Sequence, residues 1–367
     1  MSTLDALAEY AATRYERVAA RRAAGARVVG YVGADVPREL IEAAGLLPLR
    51  LAPTEVESRS EADAILGPGV DEPTRTILAG LLETRYPIDH LVLCHDTEHT
   101  VRLYTSFRAL ARRRRELPEP AFFDLLHLPT ASTAAYNSDR LAELARTLAG
   151  WAGAPIDEPE LRGAIASAND GRRLLTRLDR ARSQGRVTGT QLLAAVAAGT
   201  AMTAGEHNQR IAAALGELGS AGKPPRRRVF VLGSANVDAA VYDALEEEYL
   251  SVVGEDHDWG AASFDGLVSE DEEPLTALAS RYQLGCACGR RHSSDDRAAW
   301  SARAAVTAGA DVALAWICAG DEARLWGLPA ERAAFAASGI SLVAHRHRAP
   351  SLGHEARAEL VGAVLAA

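Results

Sequence analysis

Cys94, His95, Asp96, Glu98 and His99 crowd into one run, His90-Leu91-Val92-Leu93-Cys94-His95-Asp96-Thr97-Glu98-His99. An apolar stretch there ends on a thiol and passes at once to imidazoles and carboxylates. A second segment has the same form: Asp311-Val312-Ala313-Leu314-Ala315-Trp316-Ile317-Cys318, followed by Asp321 and Glu322. In open α/β sheets the chemistry sits just beyond the carboxyl ends of the strands, where both thiols fall. Two such strand ends suggest two α/β halves facing each other across a cleft.

Thiolate is the standard ligand of iron–sulfur clusters, so two thiols at equivalent strand ends point to a shared metal or cluster. Zinc on Cys94, His95 and His99 is a second reading, since all three are suitable ligands. Adjacent Cys94 and His95 chelate awkwardly, and no familiar zinc spacing follows. The plain alternative for each thiol is a buried cysteine acting as a small hydrophobe. Cys286-Ala287-Cys288-Gly289-Arg290-Arg291 carries two more thiols beside guanidinium groups that lower a thiol pKa. It is either a further source of ligands or a bystander. Gly233-Ser234-Ala235-Asn236 follows a strand and opens a helix, but it has too few glycines for a dinucleotide fingerprint and no Gly-Lys-Ser/Thr. Its glycine is read as tight-turn chemistry.

The elements that must position these residues alternate. Arg27 to Gly33, Leu46 to Leu51, Leu91 to Cys94 and Ala121 to Leu128 read as strands separated by helices, which implies βαβ units and a mostly parallel sheet. From Asp139 to about Leu218 successive helices replace the strands, with Asp157-Glu158-Pro159-Glu160 as an N-terminal cap region. After the linker Gly219 to Pro225 a second α/β unit starts at Arg228, with strands at Leu250 to Val253, Asp311 to Cys318 and Ile340 to Ala344. The expected architecture is therefore α/β, two Rossmann-like or flavodoxin-like parallel-sheet domains (1–138 and 226–367) with a helical middle segment (139–225).

The 367 residues suffice for two domains of ordinary size, and 48% hydrophobic with 24% charged residues is the composition of a soluble globular chain. A formal net charge of −9 argues against nucleic acid as the main partner. The run Arg112-Arg113-Arg114-Arg115 is read as a helix end, where cations complement the macrodipole. Lys223 is the only lysine, a bias given no functional weight. Leu4 to Arg22 reads as an amphipathic helix rather than a signal peptide, and no apolar run reaches the ~18 residues of a membrane span. The expected location is cytoplasmic, where the four cysteines are not structural disulfides.

Gly30-Tyr31-Val32-Gly33-Ala34-Asp35-Val36-Pro37-Arg38-Glu39-Leu40-Ile41-Glu42-Ala43-Ala44-Gly45-Leu46-Leu47-Pro48 resembles the opening of 2-hydroxyacyl-CoA dehydratase component D subunits, relatives of the cluster-bearing subunits of benzoyl-CoA reductase. The resemblance runs nearly the whole length. Cys94 matches the family's strand-end cysteine, although His95 intervenes before Asp96. The helical segment Leu161 to Leu175, the restart at Arg228 to Ser234, Leu278-Ala279-Ser280-Arg281-Tyr282, Arg297, and Cys318 with Asp321-Glu322 follow the family's order. The resemblance implies a [4Fe-4S] cluster held between two domains on three cysteines, a ketyl-radical dehydration of an acyl-CoA thioester, and a separate ATP-dependent activator that delivers the electron. It also implies pairing with a paralogous subunit as a heterodimer, or a homodimer.

One departure stands out. The family's first cysteine ligand precedes the helix before the Cys94 strand, and Gly67-Pro68-Gly69-Val70-Asp71-Glu72-Pro73-Thr74-Arg75 contains none. Asp71 lies nearest that position. Three readings stay open. Asp71 ligates an iron, Cys288 or Cys286 substitutes, or the cluster is altered or lost and the chain is a non-catalytic partner subunit. Under the first two, Cys94 and Cys318 are ligands with Asp71 or Cys288 completing the set. Asp35 and Glu39, at the first β–α junction, then face the cleft and assist proton transfer or bind substrate. Their alternative is helix capping.

Overall fold

The computed structural model describes residues 1–219, 227–235, 239–247, 250–285, 293–346 and 352–367. Two four-stranded, all-parallel sheets organise it. The first contains β1 (Val28–Val32), β2 (Leu47–Arg50), β3 (His90–Cys94) and β4 (Pro120–Phe123), in the order β2-β1-β3-β4. The second contains β5 (Arg227–Gly233), β6 (Leu250–Glu255), β7 (Val312–Ile317) and β8 (Ser341–Arg346), in the order β6-β5-β7-β8. Each sheet therefore reverses direction of growth between its first and third strands, the switch point at which α/β sheets bind ligands. Helices α1 (Thr3–Ala12), α2 (Arg14–Ala23), α3 (Arg38–Ala43), α4 (Ser60–Leu66), α5 (Glu72–Leu82) and α6 (Glu98–Ala111) accompany the first sheet. Then come α7 (Ala131–Ala152), α8 (Glu158–Ser183), α9 (Gly189–Gly199) and α10 (Ala204–Glu217). The second sheet is interleaved with α11 (Ala240–Glu247), α12 (Pro274–Leu284), α13 (Ser294–Ala308), α14 (Glu322–Ala337) and α15 (His354–Ala366). The α/β class and the two parallel sheets are as the sequence implies.

Parallel strands covered on both faces need apolar residues at every position, and β1 and β7 are buried throughout. Alternate residues feed opposite layers. Leu91 and Leu93 pack with α1, α5 and α6, whereas Val92 and Cys94 face Leu40, Ile41, Leu141, Leu148 and Leu278. The thiol of Cys94 thus points into the layer made by α3, α7, α8 and α12. That layer joins distant parts of the chain: α12, which follows β6 in sequence, places Leu278 and Tyr282 in the core of the first sheet. In the opposite sense α9 lends Leu193 to the core of the second sheet.

Local differences from the sequence pattern have identifiable causes. The expected helix over Leu4 to Arg22 is two helices, broken at Thr13, whose hydroxyl donates to the Glu9 carbonyl at 2.8 Å. Such back-bonding favours bends and breaks. The expected strand to Leu128 stops at Phe123, and past that point the Asn137 side chain takes over the Leu126 backbone, accepting from its N–H at 3.0 Å and donating to its carbonyl at 2.8 Å. The cap at Asp157 is present, with the Glu160 carboxylate accepting from the Asp157 N–H at 3.3 Å. The Arg112 run does follow a helix end, that of α6. Among the described residues no helix is long and apolar enough to cross a membrane.

Candidate functional site

At the carboxyl end of the first sheet, β1 runs into a turn at Gly33 with φ of 103°. A side chain is excluded there twice over, by the left-handed backbone and because a Cβ would overlap Sγ of Cys94. The turn's next two N–H groups are taken up locally. That of Ala34 donates to Asp96 Oδ2 at 3.1 Å, and that of Asp35 donates to the Cys94 sulfur. Asp96 also accepts from the Thr100 hydroxyl at 2.8 Å. Burial, with Asp35 adding, pushes the Asp96 carboxyl up to about 6. Cys94 is fully buried, and burial followed by the charges of Asp96 and Asp35 drives its thiol well above its ordinary value. The surroundings thus favour the neutral thiol.

Asp35 faces inward, its side chain and that of His127 each 6% exposed, with Oδ2 3.0 Å from His127 Nε2. The other ring nitrogen, Nδ1, lies 3.4 Å from the Gln283 carbonyl, which can only accept. The imidazole thus bridges the Asp35 carboxylate and the Gln283 backbone close to Cys94. Glu39 is also buried, but its carboxylate is committed: Oε1 accepts from Arg172, and Oε2 accepts from the Tyr282 hydroxyl at 2.9 Å. Burial alone would raise its pKa, yet Arg172 and Arg281 outweigh it and hold the group at about 2. It stays ionised through the neutral range and ties α3 to α8 and α12.

The second sheet ends differently. Cys318 is only partly buried, and its backbone N–H donates to Ser234 Oγ at 3.0 Å, while that hydroxyl donates to Asp321 Oδ2 at 2.6 Å. Burial raises the thiol to about 11, partly offset by its polar contacts with Ser234 and Trp316. Asp71 comes up against this edge. A Cβ at Gly320 would lie 3.2 Å from the Asp71 Cα, and the Asp71 charge reaches the Cys318 thiol. Asp71 is the N-cap of α5, its Oδ1 accepting from the Thr74 N–H at 2.9 Å, while Oδ2 is 3.9 Å from His99 Nε2. A further tie between the two sheet ends runs from Arg50 to Asp258, with the Arg50 Nη1 donating to the Asp258 carbonyl at 2.8 Å.

The fold therefore brings Asp71 to Cys318 and Asp35 to Cys94, while Glu39 stands in a separate ion pair. Cys286 and Cys288 lie outside the described residues. The zinc combination does not converge: His95 turns to Asp124 at 2.8 Å and to Glu98 at 3.3 Å, and His99 turns to Asp71. Among the described residues no group of three or more His, Cys, Asp or Glu is placed to hold a metal ion. The described donors do not fit a resident [4Fe-4S] cluster. Cys94 is fully buried with its sulfur packed against Gly33, and Asp71 spends one oxygen on a helix cap. His127 and Gln283 were missed by the sequence reading. A polar residue inside the run Ala121 to Leu128 was the available signal for His127, whereas nothing local marks Gln283.

No curated protein matches the chain. The family model for the 2-hydroxyglutaryl-CoA dehydratase D-component matches residues 34–344, from just after Gly33 into β8. With its two parallel sheets and a thiol at the carboxyl end of the third strand of each, the chain belongs to the 2-hydroxyglutaryl-CoA dehydratase D-component family.

Proposed function

We propose that this chain is a D-component subunit working beside a cluster-bearing paralogue in an acyl-CoA dehydratase-type assembly, with its own cluster site degenerate. The observation that carries the reading is Asp71. The residue nearest the family's missing cysteine uses a carboxylate oxygen to cap α5. A carboxylate is also a hard ligand, poorly matched to iron–sulfur chemistry. The packing at Cys94 supports the same reading: the thiol is fully buried, with its sulfur against the Gly33 backbone. The chain's part is then to complete the assembly and shape its acyl-CoA cleft, with electron delivery by an ATP-dependent activator directed at the partner. The test is reconstitution: the chain alone, supplied with activator, ATP and acyl-CoA, gives no dehydration, and adding a cluster-bearing D-type subunit gives a stoichiometric complex and activity. Dehydration by the chain alone would overturn the reading.

A second reading has one specific observation in its favour. Asp71 and Cys318, from opposite sheets, lie close together, and the resemblance makes both of them candidate ligands. Under it Cys94 and Cys318 hold a [4Fe-4S] cluster with Asp71 or Cys288, and Asp71→Ala or Cys288→Ala lowers the iron bound per chain. If both variants retain wild-type iron, the second reading falls.

A further inference from the structure

A cavity of about 120 Å³ lies beside the Gly33 turn, among helices α8, α9, α10 and α12 and the loop after β6. A cavity of about 150 Å³ in another protein accepts one benzene, so this volume suits about five non-hydrogen atoms. Two glycines help to line it, Gly171 inside α8 and Gly199 at the end of α9. Each stands where α10 brings a polar side chain against the neighbouring helix. A Cβ on Gly171 would lie 2.7 Å from Asn208 Oδ1, and one on Gly199 would lie 2.7 Å from His207 Nδ1. Glycine weakens a helix interior, so its presence within α8 fits the room that Asn208 needs. His207 and Asn208 are consecutive in α10, and both line the cavity.

Both side chains present acceptors. The Asn208 amide nitrogen donates to the Ser167 carbonyl at 2.8 Å, which fixes the orientation of the side chain. Its oxygen is then buried and, among the described residues, without a hydrogen-bond partner. His207 Nε2 lies 2.9 Å from the Ala195 carbonyl, which can only accept, so the ring carries its proton on Nε2. Burial, with the Arg38 charge adding, lowers the imidazole to about 4. The ring is therefore neutral at pH 7. Its Nδ1 is a bare acceptor, and among the described residues no donor meets it.

Other parts of the wall supply donors. Arg50 and Arg172 line it, the first paired with Asp258 and the second with Glu39. A guanidinium has five N–H donors. Among the described residues Arg50 places two on Asp258, and Arg172 places one each on Asn169 and Glu39. N–H groups remain on both for an acceptor in the cavity. Leu175, Val196 and Phe264 supply an apolar side.

Acceptors, rather than net charge, set the selection here. A carboxylate has no donor, so one of its oxygens would face a bare acceptor. A carboxamide of the same shape carries an N–H2 group for the acceptors and a carbonyl oxygen for a guanidinium. A site built to hydrogen-bond an N–H rejects the analogue that lacks it, because its buried acceptors are left unpaired.

We propose that this cavity binds a small neutral primary carboxamide of about three carbons, its N–H2 group donating to Asn208 Oδ1 and His207 Nδ1 and its carbonyl oxygen accepting from Arg50 or Arg172. The site is built by the helices of this chain and goes beyond the proposed function, resting on neither state of the cluster.

Ligand-observed NMR titration of the full chain with propionamide and its isostere propionate tests it. The expected result is saturable binding of propionamide, with propionate at least about a hundredfold weaker. Asn208→Leu removes one acceptor and should weaken propionamide about tenfold. The cavity-filling Ala168→Leu should abolish its binding. Circular dichroism checks that each variant folds, and the wild-type contrast of amide with acid stands if either does not. No saturable binding of propionamide would mean that the cavity holds water only and would overturn the proposal. Propionate binding as tightly as propionamide, or a propionamide affinity unchanged in folded Asn208→Leu or Ala168→Leu, would also overturn it.

Discussion

The two sheets share a strand order and each places a thiol at the carboxyl end of its third strand, yet the two thiols occupy opposite environments. Cys94 is fully enclosed, pressed against Gly33 and flanked by Asp96 and Asp35. Cys318 is only partly buried, with Ser234 hydrogen-bonded beside it and Asp71 approaching from the other sheet. Topology alone therefore does not make a ligand of a strand-end cysteine. What surrounds the sulfur decides whether it packs, reacts or coordinates.

The comparison can be broken hardest at the first sheet. Arg172→Met would take away the ion-pair partner of buried Glu39, leaving only Arg281 and the Tyr282 hydroxyl to face it, and should cost about 3 kcal/mol in urea unfolding, because removing one partner of a buried pair strands the other charge. Gly33→Ala should cost about 1–3 kcal/mol, since it forces a side chain into left-handed backbone and against the Cys94 sulfur. Combining it with Cys94→Ala should recover part of that loss. A purely additive double mutant would show that sulfur contact does not matter there.

The acids of the first region predict opposing pH dependences. Asp96 is raised to about 6 from an unfolded value near 3.9, so the native state binds the extra proton between them. Stability should fall as pH rises from about 4 to about 6 and then level. The expected size is on the order of 1–2 kcal/mol after discounting for its partial exposure, and Asp96→Asn should abolish it. Glu39, depressed to about 2, acts in the other sense. Its contribution is complete above its unfolded pKa and is lost as pH falls through about 2. Denaturant midpoints of wild type and Asp96→Asn across this range separate the two.

Thiol chemistry sharpens the contrast further. In a Cys286→Ser/Cys288→Ser background, native protein should alkylate at Cys318 and not at Cys94. The rate should rise about tenfold per pH unit until it flattens near the Cys318 pKa of about 11. Equal labelling of both thiols, read by peptide mass spectrometry, would erase the distinction. The smallest effect is expected from Ser234→Ala, which removes the hydroxyl between Cys318 and Asp321 and should cost about 1 kcal/mol.

Much of the scaffold was legible because buried parallel strands are written as unbroken apolar runs. Val28 to Val32, Leu91 to Cys94 and Val312 to Ile317 declare themselves in this way, and the thiols follow from where those runs stop. The restart of the second sheet was equally plain. Contacts between residues far apart in the chain were not. The Glu39–Arg172–Tyr282 network joins α3, α8 and α12, and nothing in the periodicity of any one helix encodes it. The same holds for His127 on Asp35, Asp71 against Gly320, and the guanidinium-lined cavity. Periodicity reports which face of an element is buried, and it carries no information on which distant polar group meets it there.

The most direct test of the central claim is the iron and acid-labile sulfide content of the anaerobically purified chain after reconstitution, measured alongside Cys94→Ala and Cys318→Ala. A degenerate site predicts well under one cluster's worth of iron per chain, unchanged in Cys94→Ala. About four irons and four sulfides per chain, lost in both cysteine variants, would contradict it and make this subunit a cluster carrier.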